Sequence, residues 1–227
     1  MRLVRVLAAA GVLATAFAVT PPTSAAADPA AATWRVTITN LTPPGPGVPG
    51  SQPLSPPVFA IHRSGVHVWQ VGQIASHAVA AVAEDANNPV LVSALSKQRG
   101  VVDAFAGPGG PIPSGQSATY TLRVRPGQRV SIVTMLVNTN DGFTGVDAVE
   151  LWGHQVAVRT IAYDAGSEVN NERTTHIPGP CCNNPFVRAP EGDLIRPHEG
   201  ITGRGDLNPA VYGWPEPVAA VTFTRTS

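Results

Sequence analysis

Apolar and polar residues alternate along several short stretches of the chain, and this period of two predicts half-buried β-strands. In residues 33–40, Trp34, Val36 and Ile38 share one face, and the residues between them are Arg or Thr. Residues 129–138 are instead nearly all apolar, which predicts a central strand covered on both faces. Further strands are predicted at residues 117–125, 156–164 and 217–225. The pattern therefore predicts an all-β fold built mainly of antiparallel sheet.

Two stretches follow a helical period instead. Residues 72–86 carry apolar side chains at positions i, i+4, i+7 and i+8 from Ile74, a stripe typical of an amphipathic helix. Residues 87–100 open with Asn88 as a candidate N-cap and Pro89 at the first helical position, and they end on a glycine. We therefore expect two short helices inserted among the strands.

The N-terminus has the three-part layout of a secretory signal peptide. Arg2 and Arg5 flank the start of a short apolar run, and small residues then lead to a cleavage site before Asp28. We expect residues 1–27 to be removed and residues 33–227 to fold as one domain. No later segment is long enough to cross a bilayer without a break, so we expect a secreted, extracellular product with no transmembrane segment after signal removal.

Charge and motif content narrow the function further. The chain has 15 basic and 15 acidic residues, so it presents no broad positive field for nucleic acid or an anionic membrane. Its six histidines lack the paired spacing of zinc enzymes, and no G-x-S-x-G motif is present. We therefore expect a non-enzymatic protein that does not bind nucleic acid.

The two cysteines, Cys181 and Cys182, are adjacent. In an oxidising compartment they could form a vicinal disulfide, pair between chains or remain free. They cannot connect distant strands. A structural turn in a loop rich in Pro, Gly and Asn is the simplest interpretation.

Carboxylates are concentrated in two turns of this weakly charged chain. The first turn, TNDGFTGVD at residues 139–147, follows the apolar strand, and the second, YDAGSE, supplies Asp164 and Glu168. If residues 147–151 and 155–163 form a strand pair that turns at Gly153, both loops return to the same end of a sandwich. Oxygen ligands of this kind suit calcium. Two ordinary Asp-Gly turns are the favoured interpretation at this point.

Several longer stretches, in order, resemble the spondin N-terminal domain family and its exported bacterial members. They are LSPPVFAIH, VGQIASHAVAAVAED, SIVTMLVNTNDGFTGVDAVEL, AYDAGSEVNNE and YGWPEPVAAVTFTR. The resemblance implies an eight-stranded antiparallel β-sandwich, jelly-roll-like and similar to calcium-dependent phospholipid-binding domains, with calcium bound at one end.

The resemblance also implies a ligand set for Ca²⁺: Asp141, Asp164 and Glu168. Asn140 and Gly142 stand where the family has Pro and Trp, and Glu168 stands where it has Asp. Asn140 and Asp147 are candidates for a further ligand, and for Asp147 a cap on the turn into the next strand is the preferred role.

These observations favour an exported calcium-binding module that adheres to an extracellular protein or glycan ligand at the cell surface or beyond it. Two alternatives stay open. One is a secreted hydrolase in which Asp141 and Asp164 act as paired acid and base. The other is a metal-free structural envelope protein in which the same loops are turns.

Overall fold

The computed structural model describes residues 30–45, 51–184 and 187–227, and the expected signal peptide lies outside them. These residues form ten strands in two antiparallel sheets with a few short helices, and the sheets do not close into a barrel. The all-β prediction is confirmed, but the expected count of eight strands is wrong. Two of the extra strands are only two residues long, Tyr163–Asp164 and Arg196–Pro197, and sequence alternation cannot mark so short an element.

The smaller sheet has four strands in the order β4-β1-β10-β7. Its strands alternate between core-facing and outward-facing residues, as the period of two predicts. Their bounds are Ala32–Asn40 for β1, Ser117–Val124 for β4, Gln155–Thr160 for β7 and Ala219–Arg225 for β10.

The larger sheet has six strands in the order β3-β2-β5-β6-β8-β9. Strand β5 occupies its middle and is almost entirely buried, as its apolar sequence predicts. The bounds are Val58–Arg63 for β2, Val101–Ala106 for β3, Gln128–Met135 for β5, Gly142–Glu150 for β6, Tyr163–Asp164 for β8 and Arg196–Pro197 for β9.

Strand β6 differs from its expected position in two ways. It begins at Gly142, so most of the expected loop is strand; Gly145 permits this, because a Cβ there would lie 1.9 Å from the carbonyl oxygen of Ile132. It also does not pair with β7, since the two strands lie in different sheets. The hydroxyls of Thr144 and Thr160 are nevertheless 2.7 Å apart, so the start of β6 and the end of β7 reach the same end of the sandwich.

Two helices cover the outer face of the larger sheet. Helix α1 spans His77–Asp85 and α2 spans Asn88–Lys97; a short helix, α3, follows at Pro209–Tyr212. Helix α1 begins later than predicted because the Ser76 side chain caps it by accepting from Val79 N. Ile74 is therefore outside the helix and 62% exposed.

Helix α2 also starts one residue away from its expected cap. Asn87 precedes the helix, and Asn88 is its first residue. The side chain of Asn88 does not cap the helix; it donates to the carbonyl oxygen of Pro56 at 2.8 Å. A tertiary hydrogen bond therefore takes the place of the local one.

The layers enclose two cores. The first lies between the sheets and contains Phe59, Ile38 and Phe223. The second lies between the larger sheet and the helices and contains Val82 and Phe143. The end of the sandwich at which β6 starts is left to loops, and the carboxylates are found there.

Candidate metal centre

Asp141 is held by a tight turn between β5 and β6. The Thr139 hydroxyl donates to the carbonyl oxygen of Leu136 at 2.6 Å and accepts from Gly142 N at 2.8 Å. This local bonding closes the turn over three residues and places Asp141 directly before the strand. The side chain of Asp141 is completely buried.

Asp164 and Glu168 come from the second turn, which begins where β8 ends. The Asp164 carboxylate accepts from Gly166 N at 2.7 Å, the geometry of an Asx turn. Gly166 has a φ of +67°, and a Cβ there would lie 2.5 Å from the carbonyl oxygen of Asp193. Glycine is therefore needed both for the turn and for the close approach of the chain that covers it.

The two turns meet as neighbours in one sheet. Gly142 pairs with Asp164, and Ala165 N donates to the backbone carbonyl of Asp141 at 3.2 Å. The Oδ2 atom of Asp141 accepts from the backbone N–H groups of Ser167 and Glu168, each at 2.9 Å. The structure thus brings the three candidate ligands together at one end of the sandwich.

Three carboxylate oxygens in this cluster lack hydrogen bonds. Oδ1 of Asp141 and both Oε1 and Oε2 of Glu168 are buried without a hydrogen-bond partner among the described residues. Asp164 differs, because its Oδ2 accepts from Asn170 at 2.7 Å. Burying an ionised carboxylate without compensation is strongly unfavourable. The cluster therefore favours either protons or a cation.

The pKa values of Asp141 and Glu168 show the same lack of compensating positive charge. Burial, followed by the charge of Asp164, raises the pKa of Asp141 to about 7, against the lowering effect of its hydrogen bonds. Burial, followed by the charges of Glu84 and Asp141, raises the pKa of Glu168 to about 8, against the lowering effect of the nearby backbone N–H of Ala189. In each case the protein disfavours the ionised form when no cation is bound.

Two arginines partly offset the negative charge. Arg196 lies 2.8 Å from Oδ2 of Asp164, and the Nε atom of Arg188 lies 2.9 Å from Oε1 of Glu168. The second contact is an ion pair, but its N–H does not point at the carboxylate as a hydrogen bond would. Arg188 is also shared with Glu84 and Asp85 at the end of α1. One guanidinium therefore faces three carboxylates.

The donor chemistry fits a hard cation, since calcium takes oxygens from carboxylates and carbonyls. Across the described residues, however, no group of three or more His, Cys, Asp or Glu side chains is placed so that it could hold a metal ion as it stands. Donors for an ion are present, but their arrangement is not that of a closed coordination shell.

The remaining candidates have other contacts. Asn140 donates to the carbonyl oxygen of Val169 at 3.1 Å and so joins the two turns. Asp147 accepts from Val68 N at 2.8 Å and from the Ser131 hydroxyl at 2.9 Å. The first bond fastens the loop after β2 to β6, and the second joins β6 to β5. No hydrogen bond or ion pair among the described residues links Asp147 to the cluster.

Cys181 and Cys182 are joined by a disulfide, one of the three states that the sequence leaves open. Cys181 N donates to the side-chain oxygen of Asn138 at 3.1 Å. The disulfide turn is thereby attached to the turn that carries Asp141.

Sequence reasoning missed the arginines. Arg188 and Arg196 lie in residues 170–216, a sequence segment rich in Asn, Pro and Gly that we call the arm, where no periodicity indicates which way a side chain points. A signal did exist in helix α1, which ends on Glu84 and Asp85, where carboxylates interact unfavourably with the helix dipole. Such an ending suggests a counter-ion elsewhere in the chain, and Arg188 is that counter-ion.

Comparison with known proteins gives one match. The sequence model of the family described as Spondin_N matches residues 49–175, more than half of the chain and inclusive of all three candidate ligands. No curated protein matches the sequence. In the part of the chain that the structure describes, no helix is long and apolar enough to span a membrane.

Proposed function

The chain belongs to the Spondin_N family, and on that premise we propose that it is an exported, non-enzymatic binding module whose end loops are organised by a calcium ion. The family is extracellular and suggests a binding or adhesion role. The apolar N-terminal segment agrees with export. In this proposal the domain follows the family's sandwich, similar to calcium-dependent phospholipid-binding domains.

The observation that carries the calcium proposal is the set of buried carboxylate oxygens without hydrogen bonds on Asp141 and Glu168. Asp141, Asp164 and Glu168 would hold the ion, which would supply positive charge where burial leaves it deficient. Strands β6 and β8, which border the two turns, pair over only two positions, at Gly142 and Phe143 of β6. An ion shared by both turns would therefore stabilise the end of the sandwich.

A hydrolase is the less favoured candidate, although one observation speaks for it. A carboxyl with a pKa near 7, as at Asp141, could serve as a general acid. Asp141 and Asp164 are, however, both completely buried. A substrate could not reach them without the arm being displaced, whereas a small ion needs only a local opening.

The test is thermal unfolding of the purified chain, first in chelator and then in excess calcium. At a calcium concentration of 100 times Kd, we expect about 2.7 kcal/mol of stabilisation. For a domain of this size that corresponds to a rise in Tm of about 5–10 °C. Asp141→Asn and Glu168→Gln should lose most of the rise.

The same variants distinguish a metal site from ordinary turns. In chelator, Asp141→Asn should be at least as stable as the wild type, because it keeps acceptor capacity for Ser167 and Glu168 but carries no buried charge. Asp206→Asn is the matched control, since Asp206 is exposed and accepts from Thr174 in another part of the arm. Equal rises in Tm in all variants would overturn the assignment of the three ligands, and the absence of a rise in every variant would favour the metal-free structural protein.

A further inference from the structure

The larger sheet is covered by helices, but the outer face of the smaller sheet is not. Helices α1 and α2 pack on β2, β3, β5 and β6. On the smaller sheet, every second residue points away from the core and is exposed or half-buried. We define the outer face by the residues Arg35, Thr37, Thr39, Thr119, Thr121, Arg123, Gln155, Arg159, Thr222 and Thr224.

The charge on this face has one sign. None of the residues of β1, β4, β7 and β10 is Asp or Glu, and Arg35, Arg123 and Arg159 are exposed. Within the described ranges, these three arginines form no ion pair. Asp103 lines a cavity with Arg123 and Asp147 lines one with Arg159, but neither acid pairs with the arginine. Because the chain as a whole is neutral, its acidic residues are concentrated elsewhere.

Hydroxyl groups fill the space between the arginines in a regular pattern. Three neighbouring strands each carry a Thr-x-Thr sequence, and the strand register forms one all-threonine row, in which Thr37 faces Thr119 on one side and Thr222 on the other. The flanking rows are mixed, since Thr121 and Thr224 face Arg35 and Thr39 faces Ser117. Strand geometry spaces such rows about 4.8 Å apart across the sheet and about 6.8 Å apart along it. A threonine hydroxyl both donates and accepts, as a sugar hydroxyl does.

An exposed aromatic ring stands at one end of the same sheet. Trp152 is 70% exposed in the turn between β6 and β7 and lines a small cavity with Arg225 of β10. Its flat apolar ring can pack against the apolar face of a sugar.

From this face we propose a binding site for an extended acidic polysaccharide that carries about one carboxylate for every one or two sugars. The guanidinium groups would pair with the carboxylates, and the hydroxyls of the threonines between them would bond the sugar hydroxyls. Widely separated arginines match a polymer of low charge density. A protein partner would need apolar contacts, and no large hydrophobic side chain of these four strands is exposed in the described residues.

Nucleic acid fits the face less well. Phosphate chains are bound by dense cationic clusters, with aromatic rings on which the bases stack. The outer face has three separated arginines and no aromatic residue of its own, and the single ring at its end, Trp152, cannot stack a series of bases. The inference rests on the proposed function, because it names the partner of the binding module proposed above. It does not require that the module binds calcium.

The experiment measures binding of the full chain to immobilised hyaluronan, with uncharged dextran as the reference surface, in low salt with calcium and with chelator. The test variant is Arg35→Gln/Arg123→Gln/Arg159→Gln. The matched control is Arg63→Gln/Arg99→Gln/Arg173→Gln, which removes the same charge from exposed positions off the face. We expect the test variant to lose at least about tenfold in affinity, or about 1.4 kcal/mol, and the control less than about twofold.

A second variant tests the hydroxyls separately. Thr119→Val/Thr222→Val keeps the branched shape and the net charge, and we expect it to weaken binding about threefold to tenfold with an unchanged unfolding midpoint. Failure of the wild type to bind hyaluronan, or equal losses in both arginine triples, would overturn the inference. If the chain binds hyaluronan but calcium does not change its Tm, the calcium proposal alone is overturned. If calcium raises the Tm but the chain does not bind hyaluronan, the polysaccharide proposal alone is overturned.

Discussion

At the residue scale, burial separates the acids that organise this domain from those that are solvated. The spacing of Asp141 and Asp164 around two turns could be read from the sequence, because a carboxylate beside glycine in a turn is a local signal. The sequence could not show that the Asp141 and Glu168 side chains keep oxygens without hydrogen bonds, because this depends on which backbone groups the folded turns present.

Glu172 is the residue whose contribution to stability is tested most clearly by varying the pH. Its carboxylate is buried and accepts from Thr202 N at 2.6 Å and from Gly203 N at 2.7 Å. Burial alone would raise the pKa of Glu172, but these hydrogen bonds outweigh it and lower the pKa below the ordinary value of 4.5. The stabilisation is therefore complete above pH 4.5 and is lost as the pH falls through the folded-state value.

We expect Glu172→Gln to reduce the free energy of unfolding by about 1–3 kcal/mol at pH 7. The difference from the wild type should narrow as the pH falls below 4.5, because the wild type then loses the same charge. Urea unfolding at pH 7, 5 and 3 measures this. Glu199→Gln, at an exposed pair with Arg204, should show little difference at any pH. A gap that stays constant to pH 3 would assign the effect to side-chain shape instead.

At the element scale, the sequence predicted long periodic elements well and short or bulged ones poorly. Strands β1, β4 and β10 were found because each alternates over at least seven residues. Strand β2 was missed as a strand because it is buried along almost its whole length and shows no alternation. Strands β8 and β9 exist only through pairing with each other and with β6, which is a tertiary property.

The arm is the element whose role the sequence left open, and Arg188 gives it one. The arginine connects the arm to the end of α1 through Glu84 and to the carboxylate cluster through Glu168. We expect Arg188→Gln to destabilise the metal-free chain by about 3 kcal/mol, since it leaves several partly buried carboxylates without a counter-charge. Thermal unfolding in chelator measures the loss.

The same variant should bind calcium more tightly than the wild type, because a competing positive charge beside Glu168 has been removed. Calorimetric titration with calcium measures this, and Arg188→Lys, which keeps the charge, should stay close to the wild-type affinity. Arg204→Gln serves as the control, since Arg204 pairs only with Glu199 in the described part of the arm. Weaker calcium binding by Arg188→Gln would show that Arg188 positions the site and does not compete for it.

At the scale of the whole molecule, the chain has no net charge, but its fold places acidic and basic residues in different regions. The carboxylates gather where β6 and β8 meet the arm, and the smaller sheet keeps arginines without acids. Composition alone could not reveal this, because it averages over both sheets. The net charge predicts no broad positive field for nucleic acid or an anionic membrane, but it does not exclude a local excess of positive charge on one face.

The smaller sheet also depends on strands from both ends of the folded domain, since β10 lies between β1 and β7. Phe223 in β10 is fully buried in the core between the sheets, whereas Thr222 beside it points to the outer face. We expect Phe223→Ala to reduce the free energy of unfolding by about 3–5 kcal/mol, a large fraction of a typical domain's stability. Thr222→Ala, one residue away on the same strand, should cost about 1 kcal/mol or less, because it removes no core contact. Urea unfolding of both variants measures the contrast, and similar losses in the two would mean that the strand contributes through its backbone pairing and not through the core.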